Sequence, residues 1–230
     1  MRQRKLLTGY GLRFIDVLSC RRNNGFGNRS SAIAASLPYT SGSMLSAARE
    51  VLRCGAAAAA PCSGFHHAGY DTADGFCTFN GLMVTACVLR HERLADRVGI
   101  LDFDQHWGNG TEDIISRLEA DWVCHYSAGA TWHRAEQANS FMQAIPKIVE
   151  SMGNCDVVLY QAGADPHIED PLGGWLTIEQ LRERDRLVFE SAERFGLPIA
   201  WNLAGGYQSP LRKVLDIHDN TMLECISVFG

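Results

Sequence analysis

Short apolar runs alternate with longer amphipathic stretches through most of this chain. Val98–Phe103, Trp122–Tyr126, Val157–Tyr160 and Ile199–Leu203 read as strands, each nearly continuous in apolar residues. Strands of that kind fit a sheet buried on both faces. Between them the spacing predicts helices near 80–93, 135–151 and 177–195, with Pro146 starting or bending the second. Thr177 followed by Gln180 has the form of a capping box. A further helix is expected from a Ser43 cap to Arg53, with Gly55 stopping it. Residues 1–39 read as an irregular N-terminal segment, rich in turn residues such as Arg21–Gly25 and Gly27–Ser31. The alanine run Ala56–Ala60 reads as low complexity. The alternation predicts an α/β fold, three layers αβα around a mostly parallel sheet.

Ligands of such sheets sit at the carboxyl ends of the strands. Four polar clusters fall there: Asp102–His106, Ser127, Asp165, and Gly205-Gly206-Tyr207. Asp102, Asp104 and His106 stand at i, i+2 and i+4, so extended backbone turns them to one side. Read alone, this is an acidic strand end with a solvated histidine. With Asp165 after the third strand, Val157–Tyr160, Asp104 and His106 complete a three-ligand set. Its oxygens and imidazole suit zinc, and also ferrous iron or cobalt, with one position left open for water or substrate. Trp107–Thr111 reads as a tight turn into a helix that would hold this set on rigid backbone. His66-His67 offers a general base near such an ion, or is simply a pair of loop histidines. Gly75–Asn80 follows and opens a helix, its aromatics walling a channel or filling the core. Tyr207, on a glycine turn, is an oxyanion donor or a packing tyrosine.

Length, charge and cysteines narrow the class. The chain has 230 residues, enough for one sizeable domain, and it is read as a single unit over 1–230. A net charge of −5 argues against a nucleic-acid partner. No apolar run approaches the roughly 18 residues of a membrane span. The basic start lacks the sustained apolar stretch of a secretory signal. Eight scattered cysteines without a C-x-x-C pair read as reduced thiols, hence a cytoplasmic location.

In this order the motifs Gly64-Phe65-His66-His67-Ala68, Gly75-Phe76-Cys77-Thr78-Phe79-Asn80, Asp102–Thr111, Gly163-Ala164-Asp165 and Gly205-Gly206-Tyr207 resemble one family. It is the histone deacetylase and acetylpolyamine amidohydrolase family, of the arginase-like α/β fold. The resemblance spans about residues 40–225. It implies a zinc-dependent amidohydrolase that removes the acyl group from an acyl-lysine, an acylpolyamine or another small acyl-amine. By the same resemblance Asp104, His106 and Asp165 hold the metal. His66 and His67 flank the attacking water, and Tyr207 polarises the carbonyl. Asp102 orients His66, Asn109 pairs with His67, and Gly75 and Phe76 wall the channel. A potassium ion would lie against Asp102, Asp104, His106 and Ser127.

The chain departs from the pattern in having Trp107 where a second histidine is usual, and in a short segment before the histidine pair. The first strand of the family pattern has no match there, which leaves a sheet edge to be covered and favours a homo-oligomer. Two other readings stand beside this one. The first is a metal-containing acyl-amine binder with weak or no turnover. The second is an arginase-like ureohydrolase.

Overall fold

In a computed structural model that describes residues 16–230, five parallel strands form one sheet between helices. The first elements are α1 (Ser31–Cys54), β1 (Ala57–Ala60), α2 (Gly81–His91), β2 (Val98–Asp102), α3 (Asn109–Leu118) and β3 (Val123–Ser127). Then come α4 (Ala138–Glu150), β4 (Val157–Gly163), α5 (Ile178–Phe195), β5 (Ile199–Ala204) and α6 (Arg212–Phe229). The strand order is β1-β5-β4-β2-β3. Every residue of β2 and β4 is buried, as their unbroken apolar runs require. Two cores result. One packs Phe103, Phe141, Tyr160, Phe189 and Trp201 on one face of the sheet. The other packs Met44, Val51, Phe65, Leu82 and Leu89 on the opposite face. The three-layer αβα arrangement is the expected one.

Three local expectations need correction. Helix α1 starts at Ser31, not after Ser43, because the Ser30 hydroxyl accepts from the Ile33 N–H and caps it. Residues 31–39 are therefore helical rather than irregular, and Pro38 lies inside the helix. The alanine run is strand β1, paired in register with β5 from Ala57 opposite Ile199 to Ala60 opposite Asn202. Alanine is a good helix former, but Gly55 in the left-handed conformation ends α1 first, and pairing then decides the rest. The helix expected over 135–151 is divided. Ala135–Gln137 forms a 3-10 turn, and α4 begins at Ala138 with Pro146 inside it. By contrast, Thr177 and Gln180 make the expected capping box, and Asn80 caps α2.

Arg184 of α5 is fully buried and ties the sheet together beneath the carboxyl ends of β2 and β4. Its Nη1 donates to the carbonyls of Phe103 (3.1 Å) and Gly163 (2.7 Å). Its Nε donates to Asp185, which also accepts from the Tyr160 and Thr221 hydroxyls. Arg184→Ala would strip the cation from a buried carboxylate and leave two carbonyls unpaired. We expect a loss of about 3–5 kcal/mol of stability, read by urea unfolding. A loss below about 1 kcal/mol would mean that the network adds little beyond a surface pair.

Candidate active site

The strand ends carry the polar clusters to one place. Asp102 is the last residue of β2, opposite Ser127 on β3 and Gln161 on β4. Asp104 and Asp165 are buried, and His106 is partly exposed. The side chains of Asp104, His106 and Asp165 each offer a ligand atom, all within 4.8 Å of one another. His106 Nδ1 lies 3.2 Å from Asp104 Oδ1 and 3.0 Å from Asp165 Oδ2.

Glycines make room for this convergence. A Cβ on Gly205 would fall 2.3 Å from Asp165 Cγ, and one on Gly163 would fall 2.7 Å from Asp104 Cα. No side chain fits at either point.

Electrostatics favours a cation between the carboxylates. Burial and the neighbouring Asp104 charge push the Asp165 carboxyl up to about 7. Burial works against the Asp104 carboxylate too, but the His66 charge and the His106 hydrogen bond hold it below the usual range. His106 is raised to about 10, by its hydrogen bond to Asp104 and then by the adjacent Asp165 carboxylate. Asp165 Oδ2 is buried, and its close polar neighbour His106 Nδ1, at 3.0 Å, lies outside hydrogen-bond geometry. Two buried carboxylates, an adjacent imidazole and an orphaned oxygen are a donor set that a divalent ion fits.

The histidine pair stands against this cluster, its rings 4.1 Å apart. His66 is buried. Its Nδ1 lies 2.7 Å from Asp102 Oδ2, and its Nε2 lies 3.5 Å from Asp104 Oδ1. Burial alone would lower its pKa, but Asp102 and Asp104 outweigh that and raise it to about 9. His67 Nδ1 lies 2.7 Å from the Asn109 Oδ1. Burial, then the His66 charge, lower the His67 pKa.

The loop bearing the pair is pinned from several sides. Gln161 donates to Asp102 (3.0 Å) and accepts from the Phe65 N–H (3.0 Å). Thr111 N donates to the His66 carbonyl, and Asn80 bridges the Ala68 carbonyl and the Thr111 hydroxyl. Gly75, with φ +52, lets its loop lie on His67, where a Cβ would come 2.4 Å from the ring.

The pair, Asp104, Gly75, Phe76 and Tyr207 line one cavity of about 530 Å³. Phe76 packs against Tyr207, with ring centroids 5.6 Å apart. Tyr207 is placed by the Gly205-Gly206 turn and by its N–H donating to Asp170 Oδ2 (2.8 Å). Ser127 sits below, its hydroxyl accepting from the Gly108 N–H. Trp107 turns away from the cluster and donates to Glu112.

Three positions were not singled out from sequence. Gln161 and Asp170 are buried and hold the site's residues in place. Phe26, from the segment read as irregular, lines the cavity and packs on Phe76 at 5.5 Å. Only Asp170 carried a usable signal, as a carboxylate five residues after Asp165 in a stretch ending at Pro171.

A parallel sheet with this site at its carboxyl ends is the arginase–deacetylase fold. Two solved structures share it. The HD domain of HDA15 superposes with a TM-score of 0.77 at 18% identity, covering 99% of this chain and 73% of that one. The acetylpolyamine aminohydrolase from Burkholderia pseudomallei gives 0.68 at 21% identity, covering 86% and 64%. Within that fold the chain belongs to the histone deacetylase family, whose domain model, the histone deacetylase domain, matches residues 19–128 and 123–221. Acetylpolyamine amidohydrolase 2 of Pseudomonas aeruginosa is 28% identical over 175 residues, covering 62% of this chain and 48% of the relative. The chain spans about half the length of the curated relatives it matches. Among the described residues no helix is long and apolar enough to cross a membrane.

Proposed function

We propose that this chain is a metal-dependent deacylase that hydrolyses the amide of an acylated amine, an acyl-lysine or an acylpolyamine. The observation that carries the reading is the convergence of Asp104, His106 and Asp165 beside two differently partnered histidines that, with Asp104, line one cavity. Asp104, His106 and Asp165 would hold the ion, zinc in our reading. When bound it supplies Lewis-acid polarisation of the acyl carbonyl and acidifies the attacking water.

The chain's own residues do the rest. His67, favoured neutral, takes a proton from the attacking water at its free ring nitrogen. His66, held charged against Asp102, stabilises the developing negative charge and then protonates the leaving amine. The Tyr207 hydroxyl donates a hydrogen bond to the carbonyl oxygen as its negative charge develops. Phe26, Phe76 and Gly75 keep the approach narrow and apolar. Asp102, Asp104, His106 and Ser127 would seat the potassium ion.

The test is turnover of an acetyl-lysine peptide and an acetylated diamine by protein loaded with zinc, cobalt or ferrous iron. Hydrolysis of either, lost on chelation and restored by metal, is expected. No hydrolysis with any of the three ions would overturn the proposal.

The division of labour between the histidines has its own test. A base must be neutral to accept a proton, so the rate should fall as pH drops through the His67 pKa. That limb should lie below the ordinary histidine value of about 6.5. Asn109→Asp puts a negative charge on His67, which stabilises the imidazolium and should move the limb to higher pH. His67→Ala should cost more in kcat than His66→Ala, with metal retained in both. An unmoved limb, or the opposite order of losses, would reverse the assignment.

A further inference from the structure

The cavity runs well past the groups that the proposed chemistry needs. Beyond Gly205-Gly206 it continues between the loop Pro61–Gly64 and helix α6. Leu211, at the cap of α6, then Val214, Leu215 and His218 line it at i, i+3, i+4 and i+7, one face of the helix. From Leu211 to His218 a helix rises about 10.5 Å, the length of an extended chain of about eight carbons. The whole cavity, about 530 Å³, falls in the range of about 300–1,000 Å³ that holds drug-sized ligands. An acetyl group would leave most of it unused.

The walls are apolar and partly uncovered. Leu211 is 64% exposed and Leu215 39% exposed, although both face this groove. Cys62 and Val214 form buried parts of its wall. His218 is 8% exposed, and its Nδ1 is buried without a hydrogen-bond partner. Burial pushes its pKa down to about 4, so it places no charge against a hydrocarbon at neutral pH.

We propose that this groove takes the hydrocarbon tail of a medium-chain acyl group, about eight carbons long by the rise of α6, with its carbonyl at the Asp104–His106–Asp165 cluster. The inference rests on the deacylase reading and names its substrate class. Covering Leu211 and Leu215 with a methylene chain supplies the driving force, as burial of apolar surface does elsewhere. The tail would lie along α6, while the amine leaves past Phe26 and Phe76.

Two measurements test it. The first is kcat/KM on lysine peptides bearing acetyl, butyryl, octanoyl and dodecanoyl groups. Octanoyl should exceed acetyl by at least about tenfold, given the worth of each buried methylene. Leu215→Trp, which fills the groove, should cut the octanoyl-to-acetyl ratio by about tenfold. Leu223→Ala, on the same helix but off the groove, should leave the ratio alone. The second reads binding without chemistry, by calorimetry of acetate, butyrate and octanoate on metal-free protein. Affinity should rise about two- to fourfold per methylene and fall in Leu215→Trp. A flat chain-length profile in both measurements, or a Leu215→Trp ratio equal to wild type, overturns the groove assignment. If no amide is cleaved but carboxylates bind with that dependence, the deacylase reading fails and the groove stands.

Discussion

Exchanging Asp165 for asparagine is expected to remove bound metal and turnover together while the fold survives. Among the described residues Asp165 is one of three side chains that converge on the proposed ion, so its loss leaves Asp104 and His106. Partners that merely orient a metal ligand typically carry about 10–100-fold in affinity or activity. A ligand itself should carry more.

The fold survives because the charge on Asp165 does not stabilise the metal-free chain. Its folded pKa is raised to about 7, by burial and then by the Asp104 charge. A group raised in the folded state gives stability that is present at low pH and lost as pH rises through the folded value. In metal-free protein this contribution therefore fades from about pH 4, the unperturbed aspartate value, up to about 7. Asparagine, near in shape and uncharged, is spared that loss. Metal-free Asp165→Asn should melt no lower than metal-free wild type at pH 7. Zinc should raise the melting temperature of wild type far more than that of the variant. Elemental analysis after dialysis reads occupancy directly. A variant that keeps its metal and its activity would remove Asp165 from the ligand set.

Much of this site could be read before the fold was known, because strand-end chemistry is local. Asp104 and His106 do share one site, but β2 ends at Asp102 and residues 104–106 form a bend, with His106 N–H donating to Asp104 Oδ1, rather than the extended backbone expected. Asp165 follows the end of β4. What could not be read depended on distant partners. Gln161 looks like any strand residue until β2 and β4 pair and put it opposite Asp102. Phe26 joins the cavity because Phe76 N donates to the Gly25 carbonyl and Gly25 N to Thr78, contacts between segments about fifty residues apart.

The misread elements have the same cause. Ala57–Ala60 has no strand preference of its own and is a strand through its pairing with β5. Proline disfavours a helix interior, yet the Ser30 cap and the packing of Leu37, Met44 and Val51 sustain a helix through Pro38. Helix α6 drew no reading at all. Its sequence mixes Asp216, His218, Asp219, Asn220 and Thr221 among the apolar residues, and two of those polar side chains, His218 and Thr221, are buried. Thr221 is satisfied by Asp185 on the neighbouring helix, which no local pattern announces.

Tyr207→Phe should lower kcat by about 10²–10³, or about 2.7–4 kcal/mol of transition-state stabilisation, the usual worth of one oxyanion donor. The phenol is suited to donate a hydrogen bond without losing its proton. Burial first, and then the charges of Asp104 and Asp165, push its pKa well above the ordinary value, so it stays protonated across the working range. The change removes one oxygen and little else. Tyr207 N is held by Asp170, and the ring packs on Phe76, so phenylalanine can keep the same place. Because the carbonyl oxygen gains its charge only on the way to the transition state, KM should move much less than kcat. Asp170→Ala makes a useful contrast. It frees the backbone of Tyr207 rather than deleting its hydroxyl, so both kcat and KM should change as the ring loses its position. Equal turnover in wild type and Tyr207→Phe would mean that the hydroxyl never reaches the acyl oxygen, and the two histidines would then have to stabilise that charge without it.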